Sequence, residues 1–77
     1  MRAEELIAGV WKQNLDLLNG GREPSKVIMS KSNYELLQRY HAGLGFVQDG
    51  AEDYISRYSL FGLAIYIDNR VDYKVEA

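Results

Sequence analysis

The apolar residues of this chain change their spacing partway along, and that change restricts the fold more than any other feature. Up to Gly45 they recur every third or fourth residue, and from Tyr54 onwards every second one. The first period belongs to helices with one buried face, the second to half-buried strands. A chain of 77 residues carrying both patterns is expected to form one α+β domain, residues 1–77, in which helices shield one side of a sheet.

The elements follow from the punctuation between these patterns. Ala3, Leu6, Ile7, Val10, Trp11 and Leu18 predict a first helix, with Glu4, Lys12, Gln13 and Asp16 on its other side. Asn19-Gly20-Gly21 stops it. Gly9 within it costs roughly 1 kcal/mol relative to Ala, which reads either as close backbone approach or as a tolerated imperfection. Beyond a loop at Pro24, Val27-Ile28-Met29 reads as a buried central strand. Ser30 or Ser32 then caps a second helix, and Ser32 with Glu35 matches a capping box. Tyr34, Leu37, Tyr40, His41 and Leu44 carry that helix to Gly43 and Gly45. Phe46 to Asp53 reads as a surface loop with an acidic tip. Tyr54, Tyr58 and Leu60 then alternate with Ile55, Arg57 and Ser59, and Phe61-Gly62 marks a tight turn. Leu63, Ile65 and Ile67 share one face, with Ala64 and Tyr66 on the other. After a turn at Asp68-Asn69-Arg70, Val71, Tyr73 and Val75 predict a half-exposed edge strand. The expected fold is two helices packed on one face of a small, mainly antiparallel sheet, in the order α-β-α-β-β-β, with its last strands in a meander.

Composition excludes several function classes. With 47% hydrophobic residues and no Cys, the chain reads as a packed domain without disulfides or thiolate metal sites. Its net charge of -2 is spread along the chain and its basic residues stand apart, so no nucleic-acid partner is expected. No apolar run approaches the length of a membrane span, and Met-Arg-Ala-Glu-Glu does not open like a signal peptide. The expected setting is therefore cytoplasmic, with no membrane partner.

Catalysis needs convergent polar groups. The one histidine, His41, shares a helix face with Leu37 and Leu44 and reads as a packing residue. Ser30, Ser32, Ser56 and Ser59 lack the context of a nucleophile. Asp49, Glu52 and Asp53 lack the ligand order of a calcium loop and read as a solvated acidic tip, or as a contact for a basic partner. The expectation is a protein that is not an enzyme and uses no cofactor or metal.

Tyrosine is the more informative residue. Tyr54, Tyr58, Tyr66 and Tyr73 fall on expected strands, and Tyr66 lies opposite the Leu63-Ile65-Ile67 face. A tyrosine row on an uncovered sheet face is equally consistent with a protein interface and with ordinary cross-strand pairing. A free strand edge near Val71 to Val75 adds a route to a homo-oligomer.

The run Lys26-Val-Ile-Met-Ser-Lys-Ser-Asn-Tyr-Glu-Leu-Leu37, after a helix ending in Gly-Gly and a Pro24-Ser25 loop, resembles a segment of tailed-phage major capsid proteins of the HK97-like fold. Leu60-Phe-Gly-Leu-Ala-Ile-Tyr-Ile-Asp68 is similar to a hairpin of the same family. The family often has Pro where Ala64 and Lys31 stand here, and the chain lacks room for that family's spine helix and extended arm. The resemblance implies a small phage- or prophage-type protein, located in the host cytoplasm or the virion. On this reading it is structural or assembly-related and binds itself or another phage or host protein. The alternative is a phage-encoded inhibitor docking Asp49, Glu52 and Asp53 on a host enzyme or defence complex.

Overall fold

The computed structural model describes residues 1–43 and 55–77. Two helices and four strands follow in the order α1 (Ala3–Asn19), β1 (Lys26–Met29), α2 (Lys31–Gly43), β2 (Ser59–Leu60), β3 (Leu63–Ile67) and β4 (Tyr73–Glu76). The α+β class and the element order are those the spacing predicts.

The sheet is mixed, in the order β2-β3-β1-β4. Strand β1 is central: it pairs in parallel with β3 and antiparallel with β4, and β2 pairs antiparallel with β3. The expected meander therefore holds only for β2 and β3, because the chain leaving β3 crosses to the far side of β1. The crossing is held by backbone polarity at the end of β1. The Asp68 N–H donates to the Met29 carbonyl at 2.9 Å and the Ser30 N–H to the Asp72 carbonyl at 3.1 Å. The α2 N-terminus supplies further anchors. The Lys31 N–H donates to Asn69 Oδ1 at 2.8 Å, and Asn33 Nδ2 donates to the Asp72 carbonyl at 2.9 Å. These bonds occupy a helix-terminal donor that would otherwise lack an intrahelical partner.

Register separates the two sheet faces. Val27, Ile65 and Val75 lie in one row and Met29, Ile67 and Tyr73 in the next, while Lys26, Ala64 and Glu76, then Ile28, Tyr66 and Lys74, occupy the other face. Both helices cover the first face. Leu6 and Val10 of α1 and Leu37 of α2 join Val27, Met29, Ile55, Leu60, Leu63 and Val75 in one core. Each fully buried aliphatic side chain there contributes roughly 1.5–3 kcal/mol.

Local chemistry sets the element ends. Gly21 takes φ +78 past the end of α1, and the Arg22 N–H reaches back to the Leu17 carbonyl at 2.9 Å, the Schellman closure that glycine permits. At the start of α2, Ser30 is the cap: the Asn33 N–H donates to Ser30 Oγ at 3.2 Å. Ser32 lies inside the helix with its hydroxyl 3.3 Å from Ser30 Oγ, so the Ser32–Glu35 capping box does not form. Phe61 and Gly62 connect β2 to β3 with φ +53 and +79. Two consecutive positive φ values mark a type I′ hairpin turn, which matches the strand twist but strains a bulky residue at its first position.

Candidate functional site

Among the described residues, Tyr58, Tyr66 and Tyr73 do not gather on one face. Tyr66 lies on the uncovered side of the sheet and is 56% exposed. Its neighbours across the strands are Ile28 and, one strand further, Lys74. Lys26 Nζ sits 5.6 Å from the Tyr66 ring centroid and 3.5 Å from Glu76 Oε1, and Lys74 Nζ is 3.4 Å from Glu76 Oε2. This face is a small apolar centre of Ile28 and Tyr66 framed by charges.

Tyr73 shares the inner side of β4 with Val75, as the alternation of Val71, Tyr73 and Val75 predicts, and so does not join Tyr66. Tyr73 lies in the row of fully buried Met29, is itself half-buried, and packs beneath α1 against Gly9. Gly9 has no side chain because the Tyr73 ring occupies that space: a Cβ there would stand 2.6 Å from Tyr73 Cζ. Tyr58 corrects the expected strand position. It sits on a turn, not a strand, and is 74% exposed at the turn's tip. Ser56 Oγ accepts the Ser59 N–H at 3.0 Å to close this turn, and Tyr34 and Gln38 of α2 donate to the Arg57 and Ser56 carbonyls at 2.7 and 3.0 Å. Because the Ile65 N–H donates to the Tyr58 carbonyl, Tyr58 stands opposite Ile65 and not beside Tyr66. Tyr54, Asp49, Glu52 and Asp53 lie outside the described residues.

The strand edge expected near Val71 to Val75 is also partly closed. Ser30 and Asp72 form a hydrogen-bonded pair, so alternation along the antiparallel ladder turns the Val75 N–H away from β1. Gln13 of α1 accepts that N–H at 2.8 Å. Strand addition at Val75 would have to displace it.

Spacing assigned Trp11 and Leu18 of α1 to the core, and the structure turns them outwards. Leu6, Val10 and Leu17 turn towards the sheet, together with buried Asn14. Trp11, Leu15 and Leu18 do not: they are 44%, 39% and 49% exposed. Their i, i+4, i+7 positions make one continuous stripe beside the core face. Together the two faces span about 180° of the helix, where about 100° suffices for packing on a core. Trp11 also meets Phe61, ring centroids 4.9 Å apart and planes tilted by 50°. That contact offsets part of the strain of the left-handed Phe61 backbone.

Among the described residues no three His, Cys, Asp or Glu side chains group as metal ligands, and no helix is long and apolar enough to cross a membrane. His41 is half-buried in the last turn of α2. Comparison with protein-family models, curated proteins and solved structures returned no match. Function must therefore be argued from the surfaces themselves.

Two further groups are structural. Arg70 Nη2 and Nε bond Asp68 at 2.9 and 3.0 Å, and the Arg70 N–H adds a third bond at 2.9 Å. These bonds, the Arg70 side chain first, lower the Asp68 pKa to about 2. Their role is to lock the crossing loop between β3 and β4.

Proposed function

We propose that this chain is a non-catalytic, phage-type structural or assembly-related protein that works through protein–protein contact. The observation that carries the reading is a pair of apolar surfaces on different sides of so small a domain: the Trp11-Leu15-Leu18 stripe of α1 and the Ile28–Tyr66 centre of the open sheet face. A subunit of an assembly needs two such areas, one for each neighbour, whereas a solitary domain gains nothing by exposing either. Aromatic centres with a charged rim are also the make-up of protein interfaces. The phage-type part of the proposal rests on the sequence resemblance in Lys26–Leu37 and Leu60–Asp68.

The test is sedimentation of lysates from cells producing the chain alongside the particles of the phage that encodes it. The wild-type chain is expected in the fractions of particles or their precursors, and Tyr66→Ser is expected to leave those fractions. A wild-type chain that stays at the top of the gradient, clear of all particles, overturns the reading.

A further inference from the structure

We infer that the α1 stripe is covered by α1 of a second copy of the chain, the two helices antiparallel about a two-fold axis near Asn14. The inference rests on the protein-contact reading and names one of the partners it requires.

An isologous contact must be self-complementary: what lies on one side of the axis has to fit what lies on the other. The α1 stripe meets this condition in shape and in charge. Trp11 and Leu18 lie to either side of Asn14, so antiparallel pairing sets the Trp11 ring of one copy against Leu18 of the other, with the two Leu15 side chains between them. The solvent-side flank of the stripe carries Lys12 and Asp16, two residues before and two after Asn14. In an antiparallel pair equivalent flanks face each other, so Lys12 of each copy stands beside Asp16 of the other. Both side chains are on exposed residues, and neither forms an ion pair among the described residues. A parallel pair would instead set this flank against the partner's opposite flank, and neither Lys12 nor Asp16 would meet its counterpart's opposite charge. The charge order therefore selects the antiparallel arrangement, as flanking charges do in coiled coils. The other side of the stripe leads to Phe61 through Trp11, which extends the apolar area past the helix itself.

The contact is small beside the roughly 800 Å² per partner of a standard interface, so a reversible dimer is expected and not a permanent one. Sedimentation equilibrium over a wide concentration range is the measurement. The wild type should pass from the chain mass of 8.8 kDa to twice that mass as concentration rises. Leu15→Glu should hold it at the monomer mass. Lys12→Asp should weaken the dimer by about tenfold, because two attractions become two repulsions, each an exposed pair of modest strength. The double exchange Lys12→Asp with Asp16→Lys should restore dimerisation to within about threefold of wild type, since the reciprocal pairs re-form with signs reversed. Circular dichroism of each variant establishes that the fold is kept. A wild type that stays monomeric throughout overturns the inference, including the case in which the chain's own residues cover the stripe. A dimer indifferent to Leu15→Glu, or one that the double exchange fails to rescue, overturns it equally. Neither result bears on co-sedimentation with particles through Tyr66, so the two proposals can fail separately.

Discussion

Replacing Gly9 by Ala sets two effects of known size against each other. In a helix interior Ala is favoured over Gly by about 0.8–1 kcal/mol. Against this, the new Cβ would stand 2.6 Å from Tyr73 Cζ and 2.9 Å from Tyr73 Cε2, closer than carbon atoms approach. Tyr73 is half-buried and packs on the core, so accommodating the new methyl group requires its ring to shift within that packing. Overpacking of this kind costs about 1–3 kcal/mol, so Gly9→Ala should be net destabilising by about 1 kcal/mol, which lowers the melting temperature by about 4–8 °C in a domain this size. In a Tyr73→Val background the obstruction is gone and the same change should stabilise by about 1 kcal/mol. Urea unfolding of all four proteins, followed by far-ultraviolet circular dichroism, measures the cycle. The reversal of sign is the expected result. Equal stabilisation by Gly9→Ala with and without the tyrosine ring would refute the packing of Tyr73 under α1.

Three further outcomes follow from local geometry. Ser30→Ala should cost about 1 kcal/mol through loss of the α2 cap, whereas Ser32→Ala should change stability by less than about 0.5 kcal/mol; chemical denaturation distinguishes them. Phe61→Asn should relieve the left-handed backbone but lose the Trp11 ring, leaving stability within about 1 kcal/mol of wild type, and in a Trp11→Ala background it should become stabilising by about 1 kcal/mol. Asp68 has a folded-state pKa lowered to about 2 from an ordinary value of 3.8. A depressed carboxylate contributes stability that is present above the ordinary value and lost as pH falls towards the folded one. Carbon-detected titration of Asp68 should show this midpoint, and Arg70→Ala should return it towards the ordinary range.

Periodicity carried much of this fold, and its failures share a cause. The Leu63-Ile65-Ile67 alternation placed Tyr66 on the open face because a strand has only two sides. A helix has a continuous circumference, so the apolar run from Leu6 to Leu18 could not show which part of an over-wide arc met the sheet; Trp11 and Leu18 were assigned inwards and face out. The width of that arc was the available signal. Pairing order was also illegible: nothing local to β4 announces that it crosses β1, because the bonds that hold the crossing join Asn69 and Asn33 to residues far away in the chain. The side of β4 that carries Tyr73 and Val75 was legible all the same, because alternation along a strand does not depend on which neighbour it pairs with. Gly9 had two readings in sequence, close backbone approach and tolerated imperfection, and the structure shows a third: the side-chain ring of Tyr73 fills the space where a side chain would stand.

The claim on which the rest depends is that the outer stripe of α1, and not the sheet alone, is a contact surface. A dilution series of ¹⁵N–¹H correlation spectra addresses it residue by residue. Concentration-dependent shifts should gather at the Trp11 indole and at the Leu15 and Leu18 amides, with Phe61 following, while Ile28 and Tyr66 stay still. Spectra unchanged by dilution, or shifts confined to Ile28, Tyr66 and their neighbours on the open sheet face, would contradict it.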